Sequence, residues 1–286
     1  MRWCFHTTAM VADYVRTRDA LVRLVGCRVL EDDRIEDPAV GRRGGMTWIG
    51  DNSLELGSPI VEGGSADRFV RRFGSHMSSI AVQVEDIDAT VAFLESHGAR
   101  IAARTEAEGP IVFTHPADTA GVVVEWYAGR PPNDPRFGTP LPDFAVPPLL
   151  DVTHMAFGGA VVEDPPAAAA RLASLMDTGV SFIEPFAPPG APEAGVSLGD
   201  MTLALYRLPA SPSDSARLWG HEYSRPQTSS LGVCVPDLGV ARASLAEAGV
   251  KVVRSDDRCV VLPPSETGGV SLVVVDSLLP GDPRLG

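Results

Sequence analysis

Lysine is almost missing from this chain. Lys251 is the only one, and the other basic residues are arginines. Asp and Glu total 37 against 24 Lys and Arg, so the formal net charge is −13. That balance argues against nucleic acid and anionic membrane surfaces as partners. No apolar run approaches the ~18 residues that a membrane span requires, and the opening MRWCFHTTAM has no signal-peptide pattern. Cysteine is scarce as well: Cys4, Cys27, Cys234 and Cys259 form no C-x-x-C pair. Zinc-ribbon and dithiol chemistry therefore lack support, and free thiols in a reducing cytoplasm are expected. GxGxxG, P-loop and GxSxG elements are absent, which removes the nucleotide-fold and serine-hydrolase readings.

What the chain does have is a repeat. PNDPRFG at 132–138 returns as PGDPRLG at 280–286, an offset of 148 that His6 and His154, and Gly121 and Gly269, also share. GDNSLELG at 50–57 matches GDMTLALY at 199–206, offset 149, and SSIAVQVEDI at 78–87 matches SSLGVCVPDL at 229–238, offset 151. Loop insertions account for the drift. The chain therefore reads as two similar halves, 1–138 and 149–286, joined by the proline-rich segment Pro140–Pro148. With 44% hydrophobic residues, 286 positions can build cores for both.

Each half divides again. Strand-like Ile80–Val84 runs into a helix carrying Ile87, Val91 and Leu94 on one face, stopped by Gly98. Strands at Arg100–Ala103, Ile111–Thr114 and Val122–Tyr127 follow. That order is βαβββ. The same plan fits a helix near Asp13–Val25 stopped by Gly26, one near Pro166–Met176 stopped by Gly179, and one near Asp237–Ala248 stopped by Gly249. The predicted class is α+β: four βαβββ units, at 1–60, 74–130, 149–210 and 226–277, form two paired-unit domains whose mixed sheets enclose clefts.

Thr114–Trp126, THPADTAGVVVEW, is the most informative stretch. A turn with Pro116 and Gly121 feeds a valine run that ends in Glu125. A carboxylate beside a buried strand needs a partner, and a metal ion is one candidate. The repeat sharpens this: Glu55 maps to Ala204 and Glu125 to Val273, so both carboxylates belong to the first half alone. A structural need common to both halves does not predict that pattern. The bland alternative makes them solvated residues at a cleft mouth. Tyr127 and Tyr206 are candidates to line clefts, His115 to organise its turn, and Arg71 with Arg72 to be a solvated pair. His97 ends a helix, and His221 sits in a loop.

His115–Glu125, HPADTAGVVVE, is similar in residues and spacing to the HP-x-x-T-x-G-x-x-x-E stretch of methylmalonyl-CoA epimerases. With the repeated unit, the chain resembles the vicinal oxygen chelate superfamily of glyoxalase I, epimerases, extradiol dioxygenases and resistance proteins. The resemblance implies a divalent metal ion between two units, held by His6, Glu55 and Glu125. The family's second histidine falls at Ser79, which leaves His76, re-aimed by a bulge, or His154 for that place. Zn, Ni, Co, Mn and Fe all suit such donors. The implied activity is proton transfer beside a carbonyl, with Glu55 and Glu125 catalytic, on a small-molecule substrate such as an acyl-CoA or a polyhydroxy ketone. A glyoxalase-type lyase, an extradiol dioxygenase and a non-catalytic resistance protein are the alternatives. A monomer and a homodimer are both compatible with four units in one chain.

Overall fold

A computed structural model describes residues 3–35, 41–106, 109–129 and 133–285. Met1, Arg2, and the outermost residues of the repeated motifs, Pro132 and Gly286, lie outside the described residues. The first half begins with β1 (Cys4–Met10), α1 (Tyr14–Val25), β2 (Arg28–Ile35), β3 (Arg42–Ile49) and β4 (Asn52–Pro59). A short helix, α2 (Ser65–Phe73), leads to β5 (His76–Gln83), α3 (Ile87–Ser96), β6 (Ile101–Thr105), β7 (Ile111–Thr114) and β8 (Val124–Tyr127). The second half repeats the order with β9 (His154–Val162), α4 (Pro165–Met176), β10 (Val180–Ile183), β11 (Ala194–Ser197) and β12 (Thr202–Arg207). After α5 (Pro212–Trp219) come β13 (Gln227–Cys234), α6 (Leu238–Glu247), β14 (Arg254–Ser255), β15 (Val260–Leu262), α7 (Pro264–Thr267) and β16 (Ser271–Val275).

The four βαβββ units are present, and they merge in pairs into two eight-stranded mixed sheets. The first runs β2-β3-β4-β1-β5-β8-β7-β6 and the second β10-β11-β12-β9-β13-β16-β15-β14. In each, the first strands of two units pair antiparallel at the centre, β1 with β5 and β9 with β13. The last strands of the units, β4 and β8, lie parallel to those first strands. No helix among the described residues is long and apolar enough to cross a membrane.

Local chemistry explains the crossover helices. Each opens on an aspartate N-cap, Asp13, Asp86, Asp164 or Asp237, whose carboxylate accepts a backbone N–H of the first turn. Such a cap is worth ~1 kcal/mol. Gly26 ends α1 at φ +65°, a conformation that glycine adopts without a Cβ penalty. α4 departs from expectation: Asp177, at φ +48°, makes the left-handed turn two residues before Gly179. The strand in Thr114–Trp126 is also shorter than the valine run suggests, starting at Val124. Helices α2 and α5 are not predicted by periodicity, since SADRFVRRF and PSDSARLW are short and largely polar.

One core spans both halves. Ala9, Val11, Ile80 and Val82 share it with Met155, Ala160, Leu231 and Val233, and with buried residues of α1, α3, α4 and α6. The repeated DPR motif closes this arrangement at two places. Arg136 donates to the carbonyls of Cys4 and Phe5 (both 2.7 Å), pairs with Asp134 (2.7 Å) and reaches Asp200 of the other half (3.4 Å). Asp200 in turn accepts the Cys4 N–H at 2.8 Å. Arg284 repeats this on Met155 (2.9 Å), Ala156 (3.0 Å), Asp282 and Asp51 (2.9 Å), while Asp51 accepts the Met155 N–H (2.9 Å). Each half thus holds its own first strand while gripping an aspartate of the other.

Candidate functional site

The site lies on the first sheet, on the face turned away from the shared core. In strands, directly opposed residues point to the same side. Thr8 of β1 stands opposite Glu55 of β4 and Ser79 of β5, and His6 stands opposite Ala81, which is opposite Glu125 of β8. Four adjacent strands therefore present two neighbouring rows, Glu55–Thr8–Ser79 and His6–Ala81–Glu125. A bulge at Phe5 sets this register, and a second, at Ser78, follows one row later.

His6, Glu55 and Glu125 converge. The His6 Nε2 is 3.5 Å from Glu55 and 3.9 Å from Glu125, with side chains only 6%, 16% and 10% exposed. These are ion-pair separations, beyond hydrogen-bond range, and neither ring nitrogen of His6 has a hydrogen-bond partner among the described residues. The carboxylates are supported. Arg42 Nη2 donates to Glu55 at 2.6 Å, a charge-assisted bond. Ser79 Oγ donates to Glu125. Thr8 Oγ1 lies 3.3 Å from Glu55 and 3.4 Å from Glu125, with a single proton to offer two acceptors. Burial pushes the Glu125 carboxyl above its ordinary value, and the Glu55 charge adds to the effect while His6 and Ser79 oppose it. The ring of Phe5 meets His6 at 4.4 Å and stacks on Tyr127 at 4.7 Å, so one wall is apolar.

An imidazole nitrogen without a partner and two buried carboxylates form a donor set suited to a divalent cation. The 3.5 and 3.9 Å separations are near the edge of a tetrahedral shell with ~2.1 Å bonds, about 3.4 Å. The cage is nonetheless incomplete. Among the described residues no group of three or more His, Cys, Asp or Glu side chains stands as a formed metal centre, and Arg42 engages the carboxylate that a cation would take. Carboxylate rotamers re-aim at small cost, and a buried imidazole that has ion-pair neighbours but no hydrogen bond among the described residues is a group that packing alone does not explain.

His76 does not join the cluster. The Ser78 bulge turns it to the cleft face, opposite Met10, but a row beyond Thr8 and Ser79. There it stacks on Phe69 (4.9 Å) and His221 (5.4 Å) and approaches the Gly74 carbonyl through Nδ1 (3.2 Å). It lines a different cavity, of about 750 Å³, at the seam of the halves. His154 is also remote, with Nδ1 3.0 Å from Thr153 Oγ1, and it is not the counterpart of His6. Register assigns that place to Phe157, opposite Gly232 as His6 is opposite Ala81. The offset of 148 at the histidines is thus coincidental, and 151 is the structural one.

Ala204 and Val273 do occupy the places of Glu55 and Glu125. His115 organises its turn, its Nδ1 accepting the Ala117 N–H at 3.2 Å, and Arg71 is a surface residue paired with Glu62 and Asp67. Ser79, the position where the resemblance places the family's second histidine, stands in the cluster as a donor to Glu125; Thr8 and Arg42 are contacts that the sequence does not single out. The only hint is a pair of hydroxyl residues, Thr7 and Thr8, following His6.

Residues 5–113 match the family model described as the glyoxalase/bleomycin resistance protein/dioxygenase superfamily. Among solved structures, a mutant of 4-hydroxymandelate synthase from Streptomyces coelicolor is 15% identical and covers 98% of this chain and 96% of its own, with a TM-score of 0.66. Methylmalonyl-CoA epimerase from Mycobacterium tuberculosis is 25% identical over 45% of this chain and 89% of its own, with a TM-score of 0.41. A methylmalonyl-CoA epimerase in complex with methylmalonyl-CoA and NH4+ shows 24%, 44%, 93% and 0.40 for the same quantities. The synthase likeness shows the fold along the whole chain. No curated protein matches.

Proposed function

The chain belongs to the glyoxalase, bleomycin resistance and dioxygenase superfamily through its first half, and we propose that this half is a metal-dependent epimerase or isomerase site acting beside a carbonyl. One observation carries the reading: Glu125, buried with a raised proton affinity, converges with Glu55 on His6. His6, Glu55 and Glu125 would hold a divalent ion. When bound, that ion supplies Lewis acidity to two neighbouring substrate oxygens.

The chain's own groups do the rest. Glu125 takes a proton from the carbon next to the carbonyl: the C–H bond breaks, an O–H bond forms on the carboxylate, and the electron pair moves toward the carbonyl oxygen. A carboxyl with raised proton affinity suits both removal and return. Ser79 and Thr8 orient Glu125, while Arg42 fixes Glu55 in place. Phe5 and Tyr127 exclude water from one side, which strengthens every charge interaction in the cleft. Return of the proton to the opposite face is epimerisation, and return to the adjacent carbon is isomerisation. The likeness of His115–Glu125 to the epimerase stretch and the two carboxylates in the cluster favour this chemistry over oxygen activation.

The test is solvent-deuterium incorporation into candidate acyl-CoA and polyhydroxy-ketone substrates, run anaerobically, with elemental analysis of the protein. Exchange at the α-carbon that ceases after chelation and returns with a divalent metal is the expected result. Turnover that requires O₂ overturns the proposal.

A further inference from the structure

The second half keeps a cleft where the first keeps its ion-pair cluster. A cavity of about 310 Å³ opens on the corresponding face of the second sheet. Its lining includes Phe157 and Val273, the register counterparts of His6 and Glu125. Ala204, in the place of Glu55, belongs to the same apolar cluster. Every position that bears a charge or an imidazole in the first cleft is apolar here, yet the space has not been filled. Phe157 and Tyr206 stand at 6.3 Å with planes inclined by 56°, and Phe182 adds a third ring to the lining. Behind Tyr206, Trp219 meets it edge-on at 4.6 Å and is itself buried.

Charge does not select an ion for this cavity. Arg254 is committed to Asp256 at 2.7 Å and to the Gly190 carbonyl at 2.6 Å. The lining carries charges of both signs, Glu184, Asp257 and Asp276 with Arg254 and Arg258. A cavity at the small end of ligand-site sizes, with an aromatic floor, suits a molecule of one or two rings. We infer that the second cleft is a metal-independent binding site for a neutral aromatic small molecule, distinct from the first cleft. It does not rest on the reading of the first half as an epimerase.

N-phenyl-1-naphthylamine, a neutral two-ring-system fluorophore, is the probe, titrated into the full-length protein with and without EDTA. Saturable one-to-one binding, unchanged by EDTA and by Glu125→Gln, is expected. Quenching or shift of the Trp219 emission should accompany it. Val273→Phe fills the cavity and should weaken binding at least tenfold. Phe182→Ala, on the edge strand β10, leaves the core intact and should weaken it several-fold, which keeps the test decisive if Val273→Phe misfolds. The anionic analogue 1-anilinonaphthalene-8-sulfonate should bind at least tenfold more weakly. Equal affinity for the two probes overturns the neutral class. Binding that ignores both substitutions, or that EDTA or Glu125→Gln abolishes, overturns the site.

Discussion

His6 and Phe157 hold the same place in the two halves. His6 faces Ala81 across β1 and β5, and Phe157 faces Gly232 across β9 and β13. Both bulges recur as well, Phe5 and Ser78 in the first sheet and Ala156 and Ser229 in the second. One backbone frame thus presents a titratable cluster on one side of the molecule and an apolar one on the other. The contrast isolates the side chains from the fold that holds them.

Grafting the second cleft onto the first makes a sharp test. The substitutions His6→Phe, Glu55→Ala and Glu125→Val, made together with Arg42→Met so that its guanidinium does not lose the 2.6 Å carboxylate alone, remove a buried charged cluster whose desolvation is costly. Stability should rise by about 1–3 kcal/mol, read as a higher urea midpoint, while metal binding and deuterium exchange are lost. A less stable protein would mean that the cluster is a structural device.

Thr8→Val and Ser79→Ala remove the hydroxyls that orient the carboxylates. Deuterium exchange should fall ~10–100-fold, the usual effect of losing support behind a metal ligand. Thermal denaturation should stay within about 1 kcal/mol of the parent. Loss of stability without loss of exchange would assign these residues to packing.

Much of this was readable beforehand, for physical reasons. Aspartate caps and glycine stops punctuate each unit, and valine-rich strands alternate with helices, so the βαβββ order follows from the chain. Glu55 and Glu125 stand out because Ala204 and Val273 replace them. The histidines were harder. A bulge is one extra residue with no compositional mark, so the row of His76 and the second-half counterpart of His6 emerge only from the pairing of β1 with β5 and of β9 with β13. Thr8, Ser79 and Arg42 are ordinary residues in strands until that register brings them to two carboxylates.

His76 predicts a pH dependence. Burial, then His221 and Arg225, lower it from 6.5 to about 4. In the unfolded chain it protonates near pH 6.5, whereas in the folded chain it stays neutral to about pH 4. Its contribution is therefore present above pH 6.5 and lost as pH falls toward 4, with an upper bound of about 3 kcal/mol. His221, also lowered by burial, acts in the same direction. Urea unfolding at pH 7.5, 6.0 and 5.0 should show declining stability, with a shallower slope for His76→Gln. Equal slopes would place the acid sensitivity elsewhere.

Arg136→Met should cost about 2–4 kcal/mol, because it removes the guanidinium from Asp134, which is 4% exposed, and from the Cys4 carbonyl. Arg284→Met should cost a similar amount. Urea midpoints of the two single variants and the double variant measure whether the clasps are coupled; a loss under about 0.5 kcal/mol in either single variant would class them as surface pairs.

The reciprocal grip of Arg136 on Asp200 and of Arg284 on Asp51 has a bearing on divergence. The second half bears on the first mechanically, since its Asp200 accepts the Cys4 N–H and meets Arg136 at the first strand of its neighbour. Positions such as Phe157, Ala204 and Val273 are then free to drift toward a new ligand, while Asp200 and Arg284 are not. A duplicated chain tied in this way can experiment in one cleft without loosening the other.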